Sequence, residues 1–214
     1  ILNQGGNAID ASIATQLALA VCFPRAGNIG GGGFMIYRTK EGNSYSLDFR
    51  EKAPKEATKN MYLDSIGNVI DNLSTHGGLA VGVPGTISGI FDAHKKFGSL
   101  SIEQLFNPAI KLAENGFAIN EQQANLLNKY KEDFIQFNPN SKYFIKDSNW
   151  KKGDTLAQKD LANTLKIIRD NKRKSFYNGI ITKKIIQSLG EESILSENDF
   201  KNYKSIWREP IKTN

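Results

Sequence analysis

The stretch Phe34-Met35-Ile36-Tyr37-Arg38-Thr39-Lys40-Glu41-Gly42-Asn43-Ser44-Tyr45-Ser46-Leu47-Asp48-Phe49-Arg50 decides the fold class. Phe34–Tyr37 is an apolar run of strand length and reads as a buried strand. Glu41-Gly42-Asn43 supplies turn chemistry, and Tyr45 to Arg50 alternates apolar with polar. Together they predict a β-hairpin over residues 34–50. In the second strand the period of two puts Tyr45, Leu47 and Phe49 on one face and Ser46, Asp48 and Arg50 on the other.

Helices surround this hairpin. Upstream, Asn7 is placed to cap a helix from Ala8, with Ile9, Ile13, Leu17 and Ala20 forming a buried stripe and Pro24 ending it. Downstream, the turn Val83-Pro84-Gly85 opens a helix with Ile87, Ile90, Phe91 and His94 on one side, closed by Gly98. Ser101 with Gln104 makes a capping-box pattern, and Asn107-Pro108 reads as the restart of a further helix running to Gly116. Leu161, Leu165 and Ile168 mark another helix, and Ile181, Ile185 and Leu189 one more before Gly190. Lys131 to Lys152 is polar and weakly periodic and reads as a loop-rich excursion. Helices segregated around a hairpin give an α+β unit. The chain ends at Trp207-Arg208-Glu209-Pro210-Ile211-Lys212-Thr213-Asn214 in mid-pattern, so one incomplete domain over residues 1–214 is expected.

Composition narrows the function classes. The 214 residues carry 28 Lys+Arg against 22 Asp+Glu, a net of +6, and 39% hydrophobic residues, ordinary for a globular domain. The excess is downstream: residues 141–214 hold 16 Lys+Arg against 9 Asp+Glu. Those cations are dispersed, and the one cluster, Lys172-Arg173-Lys174, falls where it complements the carbonyl end of a helix dipole, so no nucleic-acid partner is expected. No apolar run reaches the roughly 18 residues needed for a membrane span. The single cysteine, Cys22, sits between Val21 and Phe23 and reads as a small buried apolar residue. Ile1 to Gly6 looks like the tail of a helix, which puts any targeting segment further upstream.

Two sets of residues invite chemistry and fail. Gly27-Asn28-Ile29-Gly30-Gly31-Gly32-Gly33 resembles a phosphate loop only in composition: a helix precedes it, a strand follows, and Phe34 stands where lysine is required. Close backbone packing is the simpler use of those glycines; a backbone-amide nest for an oxyanion is the alternative. His76 and His94 have no ligand spacing, so no metal and no cofactor is expected. Arg50 is different in kind. Its planar, permanently charged guanidinium can grip a carboxylate through two parallel hydrogen bonds, with Asp48 on the same face to orient it. The pattern alone favours a surface ion pair with Asp48 or Glu51.

Ordered blocks resolve that choice. Gly5-Gly6-Asn7-Ala8-Ile9-Asp10-Ala11, Gly27 to Phe34, Asp48-Phe49-Arg50-Glu51-Lys52-Ala53-Pro54, Leu79-Ala80-Val81-Gly82-Val83-Pro84-Gly85-Thr86, Pro108 to Gly116, Phe176-Tyr177-Asn178-Gly179 and Trp207 to Ile211 together resemble the large subunit of the γ-glutamyltransferase family, in the family's order and over nearly the whole chain. The resemblance implies an N-terminal-nucleophile hydrolase-like αββα sandwich, here incomplete, made as a precursor that cuts itself in two. It implies that a threonine at the head of a separate small subunit attacks γ-glutamyl amides such as glutathione, and that the γ-glutamyl ester passes to water or an amino-acid acceptor. It assigns Arg50 to the α-carboxylate of the γ-glutamyl group, with Asp48 and Glu51 in support, and makes the glycine run scaffold. It implies a periplasmic or secreted location. The nucleophile is then absent from these residues, which alone are expected to be inactive. Ser74-Thr75-His76 looks faintly like the family's Thr-Thr-His, but Gly77-Gly78 follows where a strand is needed. A poly-γ-glutamate depolymerase or β-lactam acylase of the same fold is the nearest alternative, and a non-catalytic scaffold homologue the more distant one.

Overall fold

The computed structural model describes residues 1–138 and 143–211. Its helices are α1 (Ala8–Cys22), α2 (Thr86–Phe97), α3 (Ile102–Asn115), α4 (Glu121–Lys129), α5 (Lys131–Phe137), α6 (Lys159–Tyr177), α7 (Ile180–Leu189) and α8 (Glu197–Asn202); its strands are β1 (Phe34–Arg38), β2 (Ser44–Asp48), β3 (Phe117–Ala118), β4 (Thr155–Leu156) and β5 (Ile206–Arg208). The class is α+β, with β1, β2 and β5 forming an antiparallel sheet in the order β1-β2-β5. Phe34 pairs with Asp48 and Arg38 with Ser44, while Asp48 pairs on its other side with Ile206. The hairpin is therefore formed within the predicted segment, its paired strands ending at Asp48.

The core lies between one face of that sheet and the helices α1, α2, α3 and α6. Leu47 is fully buried there with Leu17, Ile87, Leu105, Phe106, Leu165, Ile168 and Phe176, and Met35, Tyr37 and Trp207 pack against them. Burying side chains of this size stabilises the fold by about 1.5–3 kcal/mol each before entropy is counted. The α1 stripe is as predicted, with Ile9, Ile13, Leu17 and Ala20 all buried. Its start is doubly capped. Asn7 Oδ1 accepts the N–H groups of Ile9 and Asp10, and Asp10 returns a carboxylate to Asn7 N. Asp10, itself fully buried, also accepts from Ser99 N, Ser99 Oγ and Leu100 N, tying the head of α1 to the turn after α2. Burial would raise its pKa, but the hydrogen bonds from Ser99, Asn7 and Leu100 outweigh it and the pKa is lowered.

Four readings of the sequence are corrected. Phe34–Tyr37 is not a buried strand: Phe34 and Ile36 are 61% and 69% exposed, because the helices cover only the face that carries Met35 and Tyr37. No break occurs at Asn107-Pro108. α3 runs through as one helix with Pro108 inside it, and the burial of Leu105, Phe106, Ala109, Ile110 and Ala113 outweighs a proline cost of about 3 kcal/mol. The excursion 131–152, of which residues 139–142 lie outside the described residues, is more organised than a loop. α5 opens it, and Trp150 packs with Ile119, Ala124, Leu127 and Leu156 in a second small core, closed by the β3–β4 pair. Finally, Lys172-Arg173-Lys174 is a solvated helix end only in part. Lys172 adopts φ 55°, which breaks α6, and Arg173 turns inward to Ser88 and Tyr203 while Lys172 and Lys174 stay exposed. Lys212-Thr213-Asn214 lie outside the described residues.

Candidate functional site

Arg50 lies two residues beyond β2, on a short irregular segment rather than in the strand itself. Its backbone is held at every side. Ahead of it, Phe49 and Gly33 exchange hydrogen bonds, Phe49 N to Gly33 O at 2.9 Å and Gly33 N to Phe49 O at 3.3 Å. Behind it, Lys52 bridges Val83, with Val83 N donating to Lys52 O at 2.8 Å and Lys52 N to Val83 O at 3.2 Å. At the residue itself, Arg50 N donates to Asp48 Oδ1 at 3.1 Å and Tyr203 Oη donates to Arg50 O at 2.7 Å.

Two glycines permit this convergence. A Cβ on Gly32 would stand 2.5 Å from Phe49 O, 2.8 Å from Glu51 N and 2.9 Å from Arg50 Cα, and one on Gly85 would overlap Phe49 O and Tyr203 Oη. Only a residue without Cβ allows backbones so close. The Gly85 and Thr86 N–H groups then both reach Gly31 O, at 2.7 and 2.9 Å. The glycine run, the Asp48–Pro54 block and the Leu79–Thr86 block thus meet at one point. Scaffold was the expectation for the glycine run, and packing against the Arg50 segment is what it does.

Against this fixed backbone the side chain is open. The Arg50 side chain is 62% exposed, and Nε donates to Glu51 Oε2 at 3.2 Å. Among the described residues Nη1 and Nη2 make no hydrogen bond, and the guanidinium lies 5.7 Å from the Phe34 ring centroid. The predicted neighbours divide the work. Glu51 takes the side chain, through one exposed contact of a type worth about 0–1 kcal/mol. Asp48 takes the backbone N–H, and its other oxygen pairs with Arg208, Nη2 at 2.7 Å and Nε at 2.8 Å. The Arg50 amide first, and the Arg208 guanidinium second, hold the Asp48 carboxyl below the usual carboxylate range. Asp48 therefore stays ionised and acts on Arg50 through the main chain.

The other candidates lie elsewhere. Thr75 is exposed in a turn, with Oγ1 2.9 Å from His76 Nδ1, and a 3-10 turn rather than a strand follows. His94 Nε2 is spent on Leu100 O at 2.7 Å. Cys22 is half-buried and burial raises its pKa. Among the described residues no group of three or more His, Cys, Asp or Glu side chains is placed to hold a metal, and no helix is long and apolar enough to cross a membrane.

Sequence reasoning missed Tyr203 and Arg173. Tyr203 is 2% exposed and reaches Arg50 from 153 positions away; Arg173 looked like one cation among three. No periodic or local signal marks either, since their partners come from other elements.

The family model described as Gamma-glutamyltranspeptidase matches residues 1–214. The chain is 44% identical over 215 residues to a glutathione hydrolase proenzyme of Pseudomonas sp., covering 99% of this chain and 37% of that relative's length. Among solved structures, the Helicobacter pylori gamma-glutamyltranspeptidase superimposes with a TM-score of 0.94 at 46% identity, over 98% of this chain and 61% of that one. The Bacillus anthracis transpeptidase CapD does so with a TM-score of 0.76 at 32% identity, over 100% and 66%.

Proposed function

Since the chain belongs to the γ-glutamyltranspeptidase family, we propose that it is the large-subunit part of a γ-glutamyltransferase/glutathione hydrolase and supplies the anchor for the donor's α-carboxylate. One observation carries this reading. The backbone of Arg50 is fixed by Asp48 and Tyr203 and by flanking pairs to Gly33 and Val83, while the two terminal nitrogens of its exposed guanidinium are uncommitted among the described residues. A fork of donors on a rigid mount, released at little cost from Glu51, suits a carboxylate.

In this reading Arg50 binds the α-carboxylate of a γ-glutamyl compound such as glutathione and so places the γ-carbonyl before a threonine contributed by the small subunit. The threonine hydroxyl attacks that carbonyl, its own α-amine takes the proton and passes it to the substrate nitrogen, and the C–N bond breaks to release the amine half. Water, or the amine of an amino-acid acceptor, then resolves the ester. Fixing the charged end of the donor converts a loose encounter into a near-attack geometry, which supports catalysis through orientation. Asp48 and Glu51 support the anchor, one through the main chain and one through a displaceable side-chain contact.

The small subunit is the partner that the uncovered sheet face suits. Phe34, Ile36 and Ile206 are 61%, 69% and 39% exposed on it. A periplasmic or secreted location belongs to the same proposal. The relatives' names, glutathione hydrolase and gamma-glutamyltranspeptidase, favour this activity over the depolymerase, acylase and scaffold alternatives.

The test is Arg50→Ala in the complete enzyme. Use of a γ-glutamyl anilide should fall by at least about two orders of magnitude with the protein still folded; unchanged kinetics would overturn the assignment. The complete precursor should also resolve into two associated chains on a denaturing gel. A single uncut band that still turns over substrate is the contrary result.

A further inference from the structure

Beneath Arg50 lies a polar assembly centred on the buried Tyr203 and Tyr177. Tyr203 Oη donates to Arg50 O at 2.7 Å. The Tyr203 ring stacks on Tyr177, centroids 5.4 Å apart and planes 11° apart, and the Lys52 ammonium lies 5.1 Å from its centroid. The main-chain carbonyl of Tyr203 accepts from Arg173 Nη2. Arg173 Nε donates to Ser88 Oγ at 3.3 Å, and its guanidinium lies 4.9 Å over the Tyr177 ring. Tyr177 Oη donates to Pro84 O at 2.8 Å and accepts from Ser88 N at 3.1 Å.

The two stacked phenols therefore hold the two segments that meet at the site, Tyr203 the Arg50 carbonyl and Tyr177 the Pro84 carbonyl. Burial first, and the negative charges of Asp48 and Glu51 next, push the Tyr203 hydroxyl up to about 12. It thus remains a protonated donor throughout the neutral range. Its single donor proton is committed to Arg50 O. A peptide carbonyl on an exposed residue does not need a buried phenol to be satisfied, since water would serve. What the phenol adds is direction: it fixes the peptide plane from which the Arg50 side chain departs.

We propose that Tyr203 is a positioning residue for donor capture, its hydroxyl setting the direction in which the Arg50 guanidinium meets the donor's carboxylate, with Arg173 holding Tyr203 in place. This rests on the reading of Arg50 as the carboxylate anchor. Tyr203 touches no reacting atom and acts through Arg50 alone. Its loss should therefore be felt only by donors that carry the carboxylate.

The experiment is a double-mutant cycle in the complete enzyme. Arg50→Ala, Tyr203→Phe and the double variant are assayed with γ-glutamyl anilide and with 4-aminobutyryl anilide, the same donor without its α-carboxylate. Tyr203→Phe should lower kcat/KM for the γ-glutamyl donor about tenfold, mostly in KM, leave the 4-aminobutyryl donor unchanged, and cost nothing further in the Arg50→Ala background. Arg50→Ala defective with Tyr203→Phe normal overturns this inference and leaves the anchor reading standing. Both variants normal overturns the anchor reading and the inference with it. Equal losses on both donors, or losses additive with Arg50→Ala, mean a general structural role and also overturn it. Should Tyr203→Phe fail to accumulate, Arg173→Lys, which keeps the charge but not the reach to both Tyr203 O and Ser88 Oγ, decides by the same comparison.

Discussion

Two glycines of one run should respond to alanine in opposite ways. At Gly32 a Cβ would meet Phe49 O, Glu51 N and Arg50 Cα, all within 2.9 Å and all backbone, whereas at Gly30 it would meet nothing within 4 Å. Side chains can swing aside, but these backbone atoms cannot move without shifting the paired Gly33–Phe49 and Lys52–Val83 contacts. Overpacking of this kind costs about 1–3 kcal/mol, which in a complete enzyme of the relatives' length lowers the thermal midpoint by about 1–3 °C. The atoms that must yield belong to Arg50 and its neighbours, so a misplacement near 1 Å should also reduce kcat/KM by about 10²-fold. Gly30→Ala should leave activity intact and stabilise by about 0.4–1 kcal/mol through the unfolded chain. The assay is thermal unfolding and γ-glutamyl anilide turnover of both variants in the complete enzyme. Equal behaviour of the two variants, or a Gly32→Ala protein of normal midpoint and normal kcat/KM, would refute the packing argument.

Asp10→Asn removes an acceptor that serves Asn7, Ser99 and Leu100; a loss of about 1–3 kcal/mol in denaturant unfolding is expected. Because its hydrogen bonds hold the folded Asp10 carboxyl below the ordinary carboxylate range, the stability it gives is present above the unfolded pKa and is lost as pH falls through the depressed folded pKa. The parent should therefore lose part of its advantage over the variant only in acid; a gap that closes at neutral pH would contradict the assignment. Trp150→Ala should cost about 3–5 kcal/mol locally and open residues 117–156 to limited proteolysis, while far-UV circular dichroism stays near that of the parent; global unfolding instead would show that the second core is not separable. Cys22, its pKa raised by burial, should react with a disulfide reagent far more slowly in the native protein than after denaturant, and immediate stoichiometric labelling would count against it.

The α1 stripe, the hairpin and the Ser101–Gln104 capping box were readable, because each depends on residues a few positions apart. The burial of β1 was not readable. Phe34 and Ile36 are as apolar as a buried strand requires, and only the one-sided placement of the helices shows that their face is uncovered. Pro108 misled for a related reason: a local breaker is overridden when five neighbours on the same helix are buried. At the site, Arg50 and its acidic neighbours were singled out from their block. Their division of labour was not, since Asp48 holds the main chain of Arg50 and gives its second oxygen to Arg208, 160 positions away. Tyr203 and Arg173 act across comparable separations and left no pattern along the chain.

A crystal structure of the complete enzyme with a bound γ-glutamyl ligand would bear most directly on Arg50. Nη1 and Nη2 of Arg50 should each lie about 2.7–2.9 Å from an oxygen of the ligand's α-carboxylate, with the Glu51 contact loosened and the Tyr203 hydrogen bond kept. A carboxylate bound by other side chains, with Arg50 still resting on Glu51, would contradict the account.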